Sequence, residues 1–146
     1  MILADAQATE ELGRRLADVV RPGDVVTLQG DLGMGKTSLA RGLLAGLGLH
    51  GEAPSPSFAI VQPYAPPEVR MPVLHVDLYR IDDPAEMEEL GLDETEADSL
   101  LVIEWPEHAG AGYWPDALAL TLTEMPEGGR RLTAQVPEGW TPRWPI

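Results

Sequence analysis

The sequence predicts a three-layer α/β fold with a mixed, largely parallel central sheet, in one domain spanning residues 1–146. Three observations carry this prediction. A glycine-rich segment, residues 30–37, stands between an apolar strand pattern and a helical pattern. Leu100-Leu101-Val102-Ile103 is a continuous apolar run, as expected of a central buried strand. The segment joining the strand patterns at 58–64 and 73–79 is too short for a parallel crossover, so this pair should be antiparallel.

The elements of the first half follow from periodicity and from residues that begin or end helices. Residues 7–20 are predicted to form an amphipathic helix, with Thr9 as a candidate cap and Arg21-Pro22-Gly23 as its end. Residues 24–29 form a buried strand that leads into the glycine-rich segment. Leucines at core-facing spacing then predict a helix over residues 37–47.

The second half is predicted to add strands to the same sheet. Residues 73–79 alternate as a strand, and Pro84 suits the first turn of a short acidic helix over residues 84–90. Two further strands, 117–123 and 132–136, form a hairpin around Glu127-Gly128-Gly129. Residues 137–146, rich in proline and tryptophan, are expected to form a C-terminal strap across the body.

Composition limits the partners of this chain. The net charge is −14, from 24 acidic and 10 basic residues, and such a surface repels a phosphate backbone. The pairs Arg14-Arg15 and Arg130-Arg131 are interpreted as solvated surface, so any nucleic acid should be reached through a partner. There is no cysteine, no secretory signal pattern and no apolar run long enough to cross a membrane, and we expect a cytoplasmic protein.

The glycine-rich segment reads G-D-L-G-M-G-K-T and matches G-x-x-x-x-G-K-[ST], the phosphate-binding loop of P-loop nucleotide-binding proteins. Lys36, the only lysine, is expected to contact the β- and γ-phosphates, and Thr37 to bind Mg²⁺ through its hydroxyl. Ser38 either contacts the α-phosphate or only caps the helix. The predicted nucleotide-binding residues of this loop are Asp31, Leu32, Gly33, Met34, Gly35, Lys36, Thr37 and Ser38.

A P-loop needs a second magnesium anchor, which is commonly an acidic residue at the end of a neighbouring strand. The apolar strand before Glu104 delivers a carboxylate to the edge where ligands bind in open α/β sheets. Asp77 ends the other candidate strand. The functional interpretation of both is a carboxylate that binds metal or positions water. The alternative interpretation of Glu104 is a solvated strand end. The alternative interpretation of Asp77 is a structural partner of Arg80 or of a loop amide.

Ser55 and Ser57 follow the P-loop helix, where P-loop proteins often carry a nucleotide-sensing segment. Their hydroxyls are candidates for contact with Mg²⁺ or the γ-phosphate. The alternative is a loop stiffened by Pro54 and Pro56, in which the serines only form turns.

The combination of the P-loop with Ser55-Pro56-Ser57-Phe58, His75-Val76-Asp77-Leu78-Tyr79-Arg80 and Glu104-Trp105 resembles the TsaE (YjeE) family over about residues 8 to 125. These are small bacterial P-loop ATPases needed to make threonylcarbamoyladenosine in certain tRNAs. Two departures are visible: Met34 stands where the family usually has Ala, and Ser57 where it usually has Thr.

The resemblance implies an ATPase that supports the transferase subunit TsaD and its partner TsaB, and meets tRNA only through that complex. It implies that Lys36 and Thr37 bind phosphate and Mg²⁺, that Glu104 is the second Mg²⁺ ligand, and that Asp77 is important for hydrolysis. Lys36, Asp77 and Glu104 are thus the candidate catalytic residues.

Three other functions share the P-loop. A GTPase normally selects guanine with an N-K-x-D or T-K-x-D segment, which a chain with one lysine lacks. A small-molecule kinase usually needs a lid with several arginines, whereas the arginines here are scattered. A nucleotide-gated binding module with little hydrolysis needs the same pocket as an ATPase, and the sequence does not separate the two.

Overall fold

A computed structural model of the chain describes residues 1–51, 61–92, 98–110 and 112–146. Its strands are β1 (Ile2–Leu3), β2 (Val25–Gln29), β3 (Val61–Tyr64), β4 (Val73–Asp77), β5 (Leu100–Glu104), β6 (Leu118–Glu124) and β7 (Arg130–Gln135). They form one seven-stranded sheet in the order β1-β7-β6-β2-β5-β4-β3. The four central strands, β6 to β4, are parallel, and the strands at both edges pair antiparallel. The predicted mixed α/β fold is confirmed.

Alternating side chains of the central strands supply two separate apolar clusters, one on each face of the sheet. On one face, residues such as Val26, Leu28 and Val102 pack against helices α1 (Ala6–Leu16) and α2 (Lys36–Gly46). On the other face, residues such as Leu101 and Ile103 pack with the region of two 3-10 helices, Pro84–Leu90 and Pro106–Ala109. Side chains of β5 at positions 100, 102 and 104 share the face of the α-helices, because strand side chains alternate.

Three glycines let the two α-helices approach backbone to backbone. A Cβ atom on Gly42 would lie 2.0 Å from the Glu10 carbonyl oxygen, and one on Gly13 would lie 2.3 Å from that of Leu39. A Cβ on Gly46 would lie 2.6 Å from the Cβ of Ala17. The close crossing brings the start of α1 beside the loop that precedes α2, where a Cβ on Gly35 would touch the Thr9 methyl group at 3.5 Å.

Several boundaries differ from the sequence prediction. Helix α1 is capped by Asp5, whose carboxylate accepts from the Ala8 amide, and the Thr9 hydroxyl instead donates to the Asp5 carbonyl. The same helix ends at Leu16 rather than at residue 20. Hydrogen bonds between residues three apart tighten the chain at this end, and β-branched residues follow. The two-residue strand β1 is too short to show a periodicity and was not predicted. Residues 58–60 lie outside the described part.

The C-terminal residues contact the connection between α1 and β2. Glu138–Arg143 forms a 3-10 helix in which Trp140 is buried. The Arg143 guanidinium binds both carboxylate oxygens of Asp24, at 2.6 and 3.1 Å, and stacks on the Trp140 ring. Within the described residues, no helix is both long and apolar enough to cross a membrane.

Candidate functional site

The loop between β2 and α2 presents backbone amides at the start of a helix. Gly33 and Gly35 adopt φ values of 79° and 101°, a left-handed conformation that glycine tolerates without strain. Gly35 is the N-cap of α2, and among the described residues no side chain caps this helix, whereas Asp5 caps α1. The first amides of α2 therefore lack the usual intramolecular acceptor and suit an anion.

Lys36 is the cation of this loop, and it is only 5% exposed. Its ammonium donates to the carbonyl oxygens of Gly30 and Asp31, the latter at 3.0 Å, and lies 4.1 Å from the centre of the Trp105 ring. Burial lowers the pKa of Lys36 below its ordinary 10.5, and nearby carboxylates, Glu104 foremost, oppose that shift. The single lysine is thus held over the loop and faces the acidic side of the site.

Glu104 joins the loop to the sheet. It is 2% exposed, so it is not a solvated strand end. The Thr37 hydroxyl donates to Glu104 Oε1 at 3.0 Å, and Glu104 Oε2 lies 2.7 Å from His75 Nε2. Two residues that are 67 positions apart therefore place a hydroxyl and a carboxylate side by side at the start of α2.

Asp77 lies next to Glu104 because the two residues end neighbouring parallel strands in register. Asp77 is 7% exposed, and its Oδ1 accepts the Tyr79 amide at 2.9 Å. That amide contact turns the chain, which explains why β4 ends at Asp77 and not at Tyr79. Asp77 thus contacts a loop amide, as its structural interpretation predicted, and the residue also lines the cavity described below.

Three rings cluster beside the site. Trp105 lies 5.0 Å from Tyr79 and 5.5 Å from His108, measured between ring centres, and the His108 ring nitrogen Nδ1 lies 2.8 Å from the Leu78 carbonyl oxygen. Trp105 has φ 60°, a left-handed conformation that is uncommon for a bulky residue. This conformation turns the chain sharply after Glu104 and leaves the indole beside Lys36.

Two cavities meet at the loop. The first, of about 270 Å³, is lined by Leu32, Gly33, Met34, Gly35, Lys36, Thr37, Ser38, Asp77, Glu104 and Trp105. The second, of about 290 Å³, shares Gly33 to Gly35 and Ser38 with it and extends to Asp5, Thr9 and Arg130. Arg130 Nη2 donates to the Gly33 carbonyl at 3.3 Å. The loop therefore lines both cavities, which together are called the groove below.

Most of the residues predicted for the site converge on the first cavity. Asp31 is the exception in the loop, since it contributes its carbonyl to Lys36 and does not line that cavity. Ser55 and Ser57 lie outside the described residues, so their predicted contacts stay predictions.

Sequence reasoning missed three contributors to the site. Trp105 was named only as part of the Glu104-Trp105 element of the family resemblance, and Arg130 was interpreted as solvated surface. The structure places both residues at the groove. Arg131, its neighbour, is exposed as expected. His75 was predicted only as part of the strand over residues 73–79, and no local pattern linked it to Glu104. All three depend on contacts between distant segments, which have no signature in the local sequence.

Comparisons with known proteins agree on one family. A sequence model described as "Threonylcarbamoyl adenosine biosynthesis protein TsaE" matches residues 3–132. A Streptomyces coelicolor protein named tRNA threonylcarbamoyladenosine biosynthesis protein TsaE is 49% identical over 113 residues, covering 77% of this chain and 76% of that protein. A Bacillus subtilis protein of the same name is 39% identical over 128 residues, covering 87% and 78%.

A solved structure supports the same relationship. The crystal structure of Bacillus subtilis YdiB superposes with a TM-score of 0.78 at 28% sequence identity, covering 95% of this chain and 85% of the other. The similarity therefore extends over the sheet, both α-helices and the loop between β2 and α2.

Proposed function

The chain belongs to the TsaE family of tRNA threonylcarbamoyladenosine biosynthesis proteins, and from that premise we propose that it binds and hydrolyses Mg²⁺–ATP in the groove over the loop. The observation that carries this proposal is the contact between the Thr37 hydroxyl and Glu104 Oε1. It brings together the two oxygen donors that a P-loop site needs for magnesium, beside amides that suit phosphate.

The residues present fit a magnesium ion. Its preferred ligands are oxygens, and the site offers a hydroxyl and a buried carboxylate 3.0 Å apart. Asp77 and Glu104 would otherwise place two negative charges beside bound phosphates, which is unfavourable without a cation. When bound, the ion offsets negative charge on the phosphate oxygens. Thr37 and Glu104 are the residues that would hold it.

The remaining groups have complementary tasks in hydrolysis. The amides at the start of α2 hold the phosphate chain, and Lys36 leaves the carbonyls of its own loop to bind the β- and γ-phosphate oxygens. Asp77 accepts a hydrogen bond from the attacking water and so aligns it with the γ-phosphorus. Trp105 lines the cavity, and we expect its indole to limit the access of bulk water to the bound phosphates.

The second cavity offers a place for the nucleoside. It continues from Ser38, which adjoins the α-phosphate end of the loop, towards Asp5, Thr9 and Arg130. The guanidinium of Arg130 provides donors and a flat surface for a ring. We therefore propose that ribose and base lie on this side, between the start of α1 and the turn before β7.

The acidic surface supports a role within a protein complex. With a net charge of −14, this chain is poorly suited to bind tRNA directly. The proposed partners are TsaD and TsaB, which would contact the tRNA and perform the transfer, while ATP turnover here supports their cycle. On this proposal the protein acts in the cytoplasm, together with the complex that modifies the tRNA.

The nucleotide site is tested by calorimetry of ADP binding. Lys36→Ala should abolish measurable affinity, because the variant loses the only cation of the loop, while the unfolding temperature shows that the fold persists. Arg131→Ala removes an exposed charge near the groove and is the matched control; it should bind as wild type does. Retained affinity in Lys36→Ala would contradict the assigned site.

The assignment as a partner-dependent ATPase is tested by phosphate release with and without purified TsaD and TsaB. We expect slow turnover alone and a clear increase when both partners are present. Full activity in isolation, or transfer of the γ-phosphate to a small molecule, would favour a kinase. Nucleotide-dependent assembly without phosphate release would favour a binding module.

A further inference from the structure

His75 is a polar side chain in the core, and among the described residues its one side-chain hydrogen bond is with the proposed magnesium ligand. It is 0% exposed, and its Nε2 lies 2.7 Å from Glu104 Oε2. It shares the face of β4 with Asp77, two residues further along, and pairs in register with Val102 of β5. One carboxylate oxygen of Glu104 thus contacts Thr37, and the other contacts His75.

We propose that His75 is a positioning residue that fixes the Glu104 carboxylate for magnesium. With its hydrogen on Nε2, the imidazole donates to Oε2, and this contact sets the rotation of the carboxylate so that Oε1 faces Thr37 and the cavity. When one carboxylate oxygen is held by a hydrogen bond, the other oxygen stays in position to bind a metal. Residues that hydrogen-bond to metal ligands commonly orient those ligands in this way. The inference rests on the proposed Mg²⁺–nucleotide site.

The burial of the ring argues against a packing role alone. His75 Nδ1 is buried and has no hydrogen-bond partner among the described residues. Its neighbours on this face include Val73 and Val102, which are apolar and also buried. A leucine would fill such a position without desolvating two ring nitrogens, so the polar ring is explained by Glu104.

Three substitutions separate positioning from packing. His75→Gln keeps a donor nitrogen the same number of bonds from the backbone and can still reach Oε2. His75→Leu fills the volume without a donor. His75→Asn is polar, but its amide is too short to reach Oε2, and it serves if the leucine variant folds poorly. Unfolding temperatures of all three, without nucleotide, measure the effect on the fold itself.

The measurement is ADP affinity by calorimetry across a Mg²⁺ titration and in EDTA. We expect the leucine and asparagine variants to need about 10- to 100-fold more Mg²⁺ for the half-maximal gain in affinity. His75→Gln should lie closer to wild type than to these two, and affinity in EDTA should be the same for all. An unchanged Mg²⁺ requirement in His75→Leu and His75→Asn would overturn the inference, as would a glutamine variant impaired as much as the other two.

A double variant tests whether His75 acts through Glu104. In a Glu104→Gln background, adding His75→Leu should raise the Mg²⁺ requirement no further, because the carboxylate that it positions is gone. An equal further increase would show that His75 acts on the fold instead. If wild-type ADP affinity does not depend on Mg²⁺, the proposed magnesium site fails as well. A Mg²⁺-dependent wild type with unaffected His75 variants refutes only the role of His75.

Discussion

Gly42→Ala tests the close approach of the two α-helices, on which the shape of the groove depends. Gly42 lies in α2, opposite the Glu10 carbonyl of α1, and Gly13 and Gly46 make similar contacts. The crossing brings Asp5 and Thr9 of the α1 start to the cavity at the loop. An alanine at position 42 would be favourable in an isolated helix, so any loss of stability here comes from packing.

The expected magnitude follows from the geometry. The new Cβ would lie 2.0 Å from a carbonyl oxygen, whereas ordinary contacts begin at 3.4 Å, so the helices must separate by about 1.4 Å. The opposing atom belongs to the backbone and has no side-chain rotamer by which to move away. Overpacking of this kind costs about 3 kcal/mol, and the higher helix propensity of alanine returns about 1 kcal/mol. The net loss should be about 2 kcal/mol, or about 6 °C in unfolding temperature for a chain of this length.

The assay is thermal and urea unfolding of Gly42→Ala followed by circular dichroism. Gly139→Ala is the control, because a Cβ there meets no atom within 4 Å and the backbone is not left-handed. This control should lie within about 0.5 kcal/mol of wild type. A Gly42→Ala variant as stable as wild type, or more stable, would refute the inference that the helices cannot separate without loss.

Three further outcomes are expected. Glu104→Ala should weaken Mg²⁺-dependent turnover more than nucleotide binding in EDTA, and an equal loss of both would indicate a structural role. Arg143→Met should lower the free energy of unfolding by about 2 kcal/mol in urea denaturation, because the Asp24 carboxylate, 14% exposed, loses the guanidinium and keeps the hydrogen bond from the Arg21 amide; a change under about 0.5 kcal/mol would argue against a stabilising tail. The lowered pKa of Lys36 means that, between that pKa and 10.5, the unfolded chain binds a proton that the folded chain has lost. Stability should therefore rise with pH in this window, and the difference in unfolding temperature between wild type and Lys36→Met should vary with pH; a constant difference would contradict it.

The fold was largely predictable because its signals are local. The apolar run at residues 100–103 became the central strand β5, and the short connection before residue 73 made β3 and β4 antiparallel, as expected. Boundaries were less certain, because they depend on single contacts. The Asp77 carboxylate ends β4 by accepting the Tyr79 amide, and Asp5 rather than Thr9 begins α1.

The phosphate-binding loop follows from local sequence, since it is built from backbone amides whose positions depend on glycines at fixed spacing. The same local logic placed acidic residues at the ends of two strands. How these parts meet depends on the three-dimensional fold. The fold brings the Thr37 hydroxyl to Glu104 Oε1 and places the Trp105 ring against the Lys36 ammonium. It also places His75 beside Glu104 Oε2. Such contacts arise from strand register and helix crossing, and a linear pattern does not encode the distance between residues far apart in the chain.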